Sequence, residues 1–547
     1  MVSLWGSKKN DDESDERPGS AEGASGGSRP PPARDEPDER APLIPRERER
    51  HQPHSDGYLD PDDPAIKVSP YNLWTVRLMR HLTVLFLTVN FVWWVLLLVS
   101  IFVSPPGLNT RGSGFFDFSY TTLTAGNLLV ALLFFTSPSK AMRILLGVLT
   151  VLLLVDMLVI VIIGRLRLEE SWPGIASIVW SVAMSAWCLL TDRIVAWGKR
   201  EEEERLTGRA ETRRTVKEWL SVLIATIVLV VYVIIVVLMT ATLILRARDS
   251  ALEMPGERIY VDGDKYEVHL ACVGNTTDEL GVKFPTVLLE AGENPVEYEL
   301  VPWAAGALKN GTIKRFCYWD RPGYGWSDNA PSPHSAGMSA DALSEALAVQ
   351  GENGPFVLVS AGYGSVVSRI FSSRHPRIIT GMLLIDPLHE DLLYRLAQPG
   401  RGFLLWAYGV ISPLGLERVF GALFAGRTRE DRVYGKYAYQ SGKFIKAQLQ
   451  ENLIADSLTK NEVVSARTIQ PANVPYVLIS SGISNARDRE WERKQRDLTK
   501  LTDNLISWDV VEKAPHEVWK TFHGRKIMEK RLGELVVLEE PAQQSIM

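Results

Sequence analysis

Residues 356–365 read FVLVSAGYGS, and this stretch decides the fold of the C-terminal half of the 547-residue chain. The stretch begins with an apolar run that ends at small and polar residues, a pattern typical of a buried strand that enters a turn. Gly362 and Gly364 follow, and glycine adopts tight turn conformations without strain. The stretch therefore predicts a buried strand, a sharp turn and then a helix.

Five other segments have a matching character and order. They read FPTVLLEAG (284–292), RFCYWDRPGYGWSD (315–328), GMLLIDP (381–387), PYVLIS (475–480) and LISWDVV (505–511). Together with residues 356–365 they resemble the motifs of the α/β-hydrolase superfamily, over about residues 257 to 540. The resemblance implies an α/β-hydrolase fold for a domain at 249–547, with a helical cap at about 388–473.

The resemblance also implies where an active site would lie. The superfamily turn Gly-x-Ser-x-Gly presents a nucleophilic serine, and Gly362 stands at that position, so the attacking oxygen is missing. His516 matches the family histidine, although Pro515 precedes it in place of the usual glycine. The triad acid has two candidates, Asp386 after the sixth strand and Asp488 after the seventh.

Two serines near the turn, Ser360 and Ser365, are candidates for a different nucleophile. The oxyanion loop corresponds to Gly292 and Glu293, together with Tyr363, which follows the nucleophile position. A carboxylate at Glu293 would oppose the negative charge that develops on an acyl-transfer intermediate. These departures from the family pattern predict no ordinary serine-hydrolase turnover.

A membrane region is predicted at residues 71–248. Five apolar stretches are long enough, or nearly so, to cross a bilayer core of about 30 Å at 1.5 Å per helical residue. They lie at about 81–103, 118–135, 144–164, 173–190 and 219–245. Basic residues are concentrated before the first stretch and in alternate loops, above all at 193–217. By the positive-inside rule the N-terminus is cytosolic and the hydrolase-like domain lies on the other side.

Residues 1–70 are rich in charged residues, Pro, Gly and Ser, a composition that predicts a disordered tail. Within this tail Glu39 precedes Leu43 and Ile44 in a pattern that resembles an acidic dileucine sorting signal. The resemblance implies a sorting adaptor as partner and a vacuolar, lysosomal or other endomembrane location. The plasma membrane and a mitochondrial membrane are the alternatives.

The three cysteines bear on the compartment. Cys188 lies in the fourth apolar stretch, whereas Cys272 and Cys317 belong to strands that are neighbours in the superfamily sheet. The resemblance therefore implies a disulfide, which suits an oxidising compartment, and two buried free thiols are the alternative. Asn275 and Asn310 begin Asn-x-Thr triplets, the acceptor pattern for N-glycosylation on the same side.

Asp156 lies midway along the third apolar stretch, where an ionisable side chain is costly and suggests a function by default. A proton relay is one interpretation. A structural bond between helices, with Asn127 or Asn90 as partner, is the other.

The net charge of −5 shows no basic footprint of nucleic-acid binding, and the sequence has no phosphate loop or metal-ligand cluster. We therefore expect no nucleic acid, metal or cofactor, and membrane lipids as neighbours. Three functions remain open: a pseudohydrolase that binds a lipid, a peptide or a partner; a hydrolase or transferase that uses another nucleophile or water activated by His516; and a transporter or receptor. The whole arrangement is also similar to uncharacterised fungal integral-membrane proteins.

Overall fold

The computed structural model describes residues 73–208, 215–277 and 283–537. The N-terminal tail, with Glu39, Leu43 and Ile44, lies outside these residues. Its sorting function therefore stays a prediction.

Five long helices form the N-terminal region. They are α1 (Trp74–Phe102), α2 (Phe115–Leu133), α3 (Lys140–Ile162), α4 (Gly164–Thr207) and α5 (Val216–Asp249). Local sequence fixes two of the starts: the Ser139 hydroxyl accepts a hydrogen bond from the Met142 N–H before α3, and Thr215 forms a capping box with Glu218 before α5. Helix α4 is bent at Ser171, where the backbone leaves helical geometry.

Four of these helices, α1, α3, α4 and α5, are long and apolar enough to cross a membrane. Helix α2 is shorter, and its buried residues include Asp117, Thr121, Thr124 and Asn127. It packs between α1 and α4, so neighbouring helices rather than lipid surround these polar side chains. This packing explains why its hydrophobic signal is weak. The chain is a membrane protein whose helix bundle precedes a second, mixed α/β part.

The helix ends alternate between two sides of the bundle. The turn after α2 lies beside the start of α1 and the second half of α4, where Val76, Phe135 and Val195 form a buried cluster. At the other side, the start of α4 contacts the C-terminal part of the chain through Arg165, whose guanidinium lies 2.9 Å from the Glu267 carboxylate. The start of α1 and the C-terminal part therefore lie at opposite ends of the bundle, the arrangement that the predicted orientation needs.

The C-terminal part is built on one eight-stranded sheet with the order β1-β2-β4-β3-β5-β6-β7-β8. Its strands are β1 (Glu257–Val261), β2 (Tyr266–Gly274), β3 (Thr286–Glu290), β4 (Arg315–Trp319), β5 (Phe356–Ala361), β6 (Ile379–Ile385), β7 (Tyr476–Ser481) and β8 (Leu505–Val511). Strand β2 is antiparallel to both its neighbours, and the pairs from β4 through β8 are parallel. This order and these directions are those of the α/β-hydrolase fold, as predicted.

Helices cover both faces of the sheet because alternate strand residues point to opposite sides. In β5, Val357 and Val359 join a core that includes α7 (Val301–Lys309) and α17 (Phe522–Val537), whereas Phe356 and Leu358 join the core that includes α8 (Ala336–Val349) and α9 (Gly364–Arg374). The helices outside the cap are α6 (Val296–Glu299), α7 (Val301–Lys309), α8 (Ala336–Val349), α9 (Gly364–Arg374), α15 (Gly482–Arg487), α16 (Arg489–Leu498) and α17 (Phe522–Val537).

The cap is a helical insertion between β6 and β7. Its helices are α10 (Pro399–Ile411), α11 (Leu416–Phe424), α12 (Arg429–Val433), α13 (Gly442–Ile454) and α14 (Lys460–Ile469), with shorter helical turns at Glu390–Arg395, Ser412–Leu414, Ala438–Gln440 and Ala455–Thr459. The insertion leaves the sheet at the carboxyl end of β6, and it also contacts α2 and α5 of the helix bundle. The cap therefore lies between the carboxyl ends of the parallel strands and the membrane helices.

Candidate functional site

Gly362 forms the turn between β5 and α9 with a φ of +46°, a backbone conformation that favours glycine. Gly364 lets the turn approach the next loop, because a Cβ at this position would collide with the Ala291 carbonyl oxygen. A Cβ built on Gly362 would face His516 and lie 3.0 Å from its Nε2 atom. The turn thus keeps the geometry that brings a nucleophile to the histidine, but the side chain is missing.

The histidine has a buried acid partner. His516 Nδ1 lies 2.6 Å from Asp386 Oδ2. The other oxygen of Asp386 accepts hydrogen bonds from the Ser481 backbone N–H at 3.0 Å and from Trp491 Nε1 at 3.1 Å. These bonds hold a fully buried carboxylate against the imidazole.

Asp488, the other predicted acid, has a different task. One of its oxygens caps α16 by accepting hydrogen bonds from backbone N–H groups at the start of that helix. The other oxygen lies 2.5 Å from a guanidinium nitrogen of Arg395, a residue of the cap. Of the two candidate acids the structure brings only Asp386 to His516.

The oxyanion loop is occupied by a side chain that the sequence reading missed. The Glu299 carboxylate accepts hydrogen bonds from three successive backbone N–H groups, those of Gly292 at 2.7 Å, Glu293 at 3.3 Å and Asn294 at 3.0 Å. Glu299 ends the short helix α6 and is buried. An oxyanion would therefore meet a carboxylate where it needs free donors. The sequence does carry a signal for this role of Glu299. It is an acidic residue that follows the glycine loop and lies in the first turn of a helix.

Arg321 also fixes the oxyanion loop, through hydrogen bonds to its carbonyl oxygens. Its guanidinium donates to the carbonyl oxygens of Ala291 at 2.5 Å and Gly292 at 2.7 Å, and to Glu290 at 2.9 Å. Burial raises the pKa of Glu290 to about 7, even though the charge of Arg321 favours the carboxylate. Arg321 also lies 3.4 Å from Glu451 of the cap. The loop is thus fixed in its present conformation by a buried guanidinium.

The surroundings of His516 favour its protonated form. Burial opposes its charge, but the hydrogen bond that Nδ1–H donates to Asp386 and the charges of Asp386, Glu293 and Glu299 together raise the pKa of His516 to about 9. A protonated imidazole cannot accept a proton, so it cannot act as the base for a serine or for water. It can donate a hydrogen bond from Nε2 towards the space beside Gly362.

Neither alternative serine faces this space. Ser365 is fully buried, donates a 2.6 Å hydrogen bond to the Gly362 carbonyl and accepts one from the Leu388 N–H at 3.2 Å. Ser360 is also fully buried, and its hydroxyl has no hydrogen-bond partner among the residues described. Both hydroxyls therefore lie in the protein interior rather than at the pocket surface.

A pocket of about 350 Å³ opens over Gly362 and His516, beneath the cap. Its lining combines aromatic and aliphatic side chains with charges of both signs. The lining residues are Gly292, Glu293, Tyr324, Gly362, Tyr363, Leu388, Arg395, Leu396, Arg401, Gln448, Glu451, Ser484, Arg487, Asp488, Trp491 and His516. The predicted site residues Gly292, Glu293 and Tyr363 are thus brought together with the histidine. This mixture suits a ligand that has both apolar and polar groups.

The predicted sites outside the pocket lie in the same part of the chain. Cys272 and Cys317 are directly opposite each other on β2 and β4, and their sulfur atoms are bonded. Asn275 follows β2 and is exposed. Asn310 is exposed at the end of α7, where its amide donates to Glu529 at 2.8 Å. Glycosylation of the two asparagines stays a prediction.

A buried cluster that the sequence reading did not identify brings together His269, Glu297 and Asp320. His269 Nδ1 lies 2.9 Å from Asp320, and its Nε2 lies 2.5 Å from the Pro255 carbonyl oxygen. Both ring nitrogens are thus engaged by oxygen atoms, which leaves neither free to bind a metal ion. The cluster connects the segment after α5 to β2 and β4.

The expectation about Asp156 was wrong in its partner. Asp156 is fully buried among the helices and accepts a 3.0 Å hydrogen bond from the Tyr120 hydroxyl. Asn90 is engaged instead with the Thr121 carbonyl, so it is not available to Asp156. Tyr120 lies on α2, so its bond to Asp156 depends on how the helices are arranged in the bundle, which residue spacing does not specify.

The described site and fold can be compared with known proteins. Residues 39–272 match the model of a family described as a region of unknown function, DUF2417. An uncharacterized protein of Schizosaccharomyces pombe is 33% identical over 529 residues, which cover 91% of this chain and 96% of that protein. An uncharacterized vacuolar membrane protein of Saccharomyces cerevisiae is 27% identical over 392 residues, and the match covers 60% of this chain and 60% of that protein.

Solved structures of similar fold include an α/β-hydrolase enzyme from a deep-sea metagenome library. It shares 12% sequence identity with a TM-score of 0.37, and the match covers 51% of this chain and 96% of the enzyme. A putative ancestral haloalkane dehalogenase gives a TM-score of 0.36 at 13% identity, over 52% of this chain and 99% of that protein. The strand order described above, rather than these scores, assigns the fold.

Proposed function

This chain belongs to the same family as the uncharacterized S. pombe protein, and from that premise we propose that it is a membrane-anchored pseudohydrolase. Its pocket binds a ligand and does not turn it over. The ligand class that fits best is a lipid or another amphipathic molecule with a hydrogen-bond acceptor at one end. A peptide ligand is the alternative, and it gains ground if oleate does not bind.

The main support for the proposal is that three parts of the catalytic machinery each differ from those of a hydrolase in a way that lowers turnover. The nucleophile position is Gly362, the loop donors are bound to Glu299, and His516 is protonated by its acidic surroundings. A triad works only as a unit, so loss of the nucleophile suppresses most turnover, and loss of the loop donors lowers the stabilisation of an oxyanion as well. One of the three, Glu299, is a buried charge that a hydrolase would have to keep away from these donors.

The same changes create a binding site. The Nε2–H of His516 points at the space that a serine side chain would fill, so a carboxylate or phosphate oxygen of a ligand can accept its hydrogen bond. Tyr363, Leu388, Leu396 and Trp491 supply apolar surface beside this donor. An acyl chain with an anionic end would satisfy both parts.

The other candidate functions gain no specific support. Ser360 and Ser365 are buried away from the pocket, which leaves an alternative nucleophile without access to a substrate. Asp156 has a structural partner in Tyr120, which explains the carboxylate without transport.

We further propose that the protein resides in the vacuolar membrane with the hydrolase-like domain in the lumen. The S. cerevisiae relative is described as a vacuolar membrane protein, and the basic loops favour a cytosolic N-terminus. Protease treatment of sealed membranes tests the orientation, since a C-terminal tag should resist digestion until detergent is added. Recovery of Cys272 and Cys317 as free thiols would contradict an oxidising lumen.

Two measurements on the purified full-length protein test the proposed activity. Hydrolysis of a short-chain nitrophenyl ester should be no faster for the wild type than for His516→Ala. Oleate, the acyl probe, should bind to the wild type and lose at least tenfold in affinity with His516→Ala, whereas Lys500→Ala, an exposed change outside the pocket, should leave binding unchanged. Ester turnover that requires His516 would refute the pseudohydrolase, and equal oleate affinity in all three proteins would refute the acyl ligand.

A further inference from the structure

Helices α10 and α11 of the cap meet at a bend of 50° and together expose an unusually apolar surface. Phe424 is 78% exposed and Leu423 69% exposed, although both are large apolar side chains. The exposed apolar residues of this corner are Phe403, Leu404, Ile411, Leu416, Phe420, Leu423 and Phe424. A surface of this kind on a monomer indicates a contact with an apolar partner.

The position of the corner identifies that partner. Gly415, at the bend, lies against Thr242 of α5 so closely that a Cβ would collide with the threonine hydroxyl. The neighbouring Leu414 packs against the bundle cluster that contains Met239 and Leu243. Thr242 precedes the end of α5 at Asp249 by seven residues, which is about 10 Å along a helix. The bend therefore lies beside the apolar part of a membrane helix.

Helix α10 lies at a similar depth on the other side of the corner. A Cβ at Gly409 would collide with the Phe115 ring at the start of α2. Leu405 and Trp406 pack in a cluster with Leu97 and Ile101 from the last two turns of α1. On the outer side of those turns, Val95, Val99 and Val103 are exposed and apolar, as expected of residues that face lipid.

Charged residues mark the boundary of this apolar layer. Asp249 at the end of α5 lies 2.7 Å from Arg418 and 2.5 Å from Arg432, and all three side chains are buried. In α11 the side chain of Arg418 is buried and points to Asp249. The side chains of Phe420, Leu423 and Phe424 point outward. The helix thus separates a charged side from an apolar side, the pattern of a helix that lies in a membrane interface about 5 to 10 Å deep.

We propose that the corner formed by α10 and α11 is inserted into the bilayer leaflet on the side of the hydrolase-like domain, where its exposed side chains contact acyl chains. The cap is then a second membrane attachment that adds to the transmembrane helices. Because Leu396 and Arg401, before and within the first turn of α10, line the pocket, the pocket roof and the membrane contact are parts of one helical unit. The insertion itself does not depend on whether the pocket binds a ligand.

Spin-label accessibility in the full-length protein tests the insertion. In a Cys188→Ser background, nitroxide labels are placed at Phe424→Cys and, as a second variant, at Leu423→Cys, and the protein is reconstituted in nanodiscs of phosphatidylcholine. Two reference labels are Val99→Cys on the lipid-facing side of α1 and Asn353→Cys in the exposed turn before β5. The α11 labels should relax several-fold more with oxygen than with a nickel chelate, as the Val99→Cys label does.

Two results would overturn the inference. Labels on α11 that relax with the nickel chelate as strongly as the Asn353→Cys label would place the corner in water. Labels shielded from both oxygen and the nickel chelate would instead indicate a protein partner or a second copy of the chain. Because either α11 position reports on its own, failure of one variant to fold leaves the other to decide.

Discussion

The two sides of the pocket differ in what they keep of a hydrolase. On one side, Gly362, His516 and Asp386 retain the positions of a catalytic triad, and only the serine side chain is missing. On the other side, the oxyanion loop keeps its place but its N–H groups hold Glu299. Under the proposed function, the comparison teaches that activity is blocked twice, once by a missing atom and once by an added charge. Restoring the serine alone should not restore an enzyme.

Removing a charged side chain should lower the free energy of unfolding more on the oxyanion-loop side of the pocket than on the triad side. Arg321→Met leaves Glu290 and the loop carbonyls without their buried cation, and breaking a buried ion pair in this way costs about 3 to 5 kcal/mol. Denaturant unfolding of the full-length protein in detergent measures the change. The matched control is Arg496→Met, where an exposed ion pair with Glu492 is worth about 0 to 1 kcal/mol. Equal effects of the two changes would show that the loop is not held by Arg321.

The close approach of the two sides depends on Gly364. Gly364→Ala forces a Cβ against the Ala291 carbonyl, and overpacking of this kind costs about 1 to 3 kcal/mol. Gly306→Ala, in helix α7 with open space around it, should stabilise by about 0.5 to 1 kcal/mol. The same unfolding experiment compares them. A neutral Gly364→Ala would mean that the turn and the loop lie farther apart than described.

The charge on His516 should appear as a pH dependence. A histidine whose pKa is raised from 6.5 to about 9 in the folded protein adds stability that is complete below pH 6.5 and is lost as the pH rises through 9. The Tm of the wild type should therefore fall more than that of His516→Gln between pH 6.5 and 9.5. Each kcal/mol of lost stability corresponds to about 2 to 4 °C for domains of 150 to 250 residues and to less for larger ones. Parallel curves would show that His516 is neutral.

The sequence predicted the turn and the α/β-hydrolase sheet because its short motifs follow one another in the order of that superfamily, and the same resemblance implied the place of His516. It also indicated five membrane helices, of which four are long and apolar enough to cross a membrane, whereas the fifth, α2, buries polar residues between other helices. The choice of Asp386 over Asp488 was not predictable, since both follow strands whose ends meet at the same edge.

The side chains that bind the backbone of the oxyanion loop were harder still to predict. Glu299 acts through contacts to backbone N–H groups, and Arg321 acts through carbonyl oxygens of a loop about 30 residues earlier in the chain. Such contacts depend on loop conformation rather than on residue spacing. The same holds for Asp156, whose partner Tyr120 lies on a different helix, so that the pair depends on the arrangement of the bundle.

Fluorophosphonate labelling of three proteins tests the double block most directly. The wild type should not label, Gly362→Ser should label weakly, and Gly362→Ser combined with Glu299→Ala should label at least tenfold faster than the single variant, because the loop donors are freed and one acidic neighbour of His516 is removed. Strong labelling of the wild type that disappears with Ser360→Ala or Ser365→Ala would contradict the account.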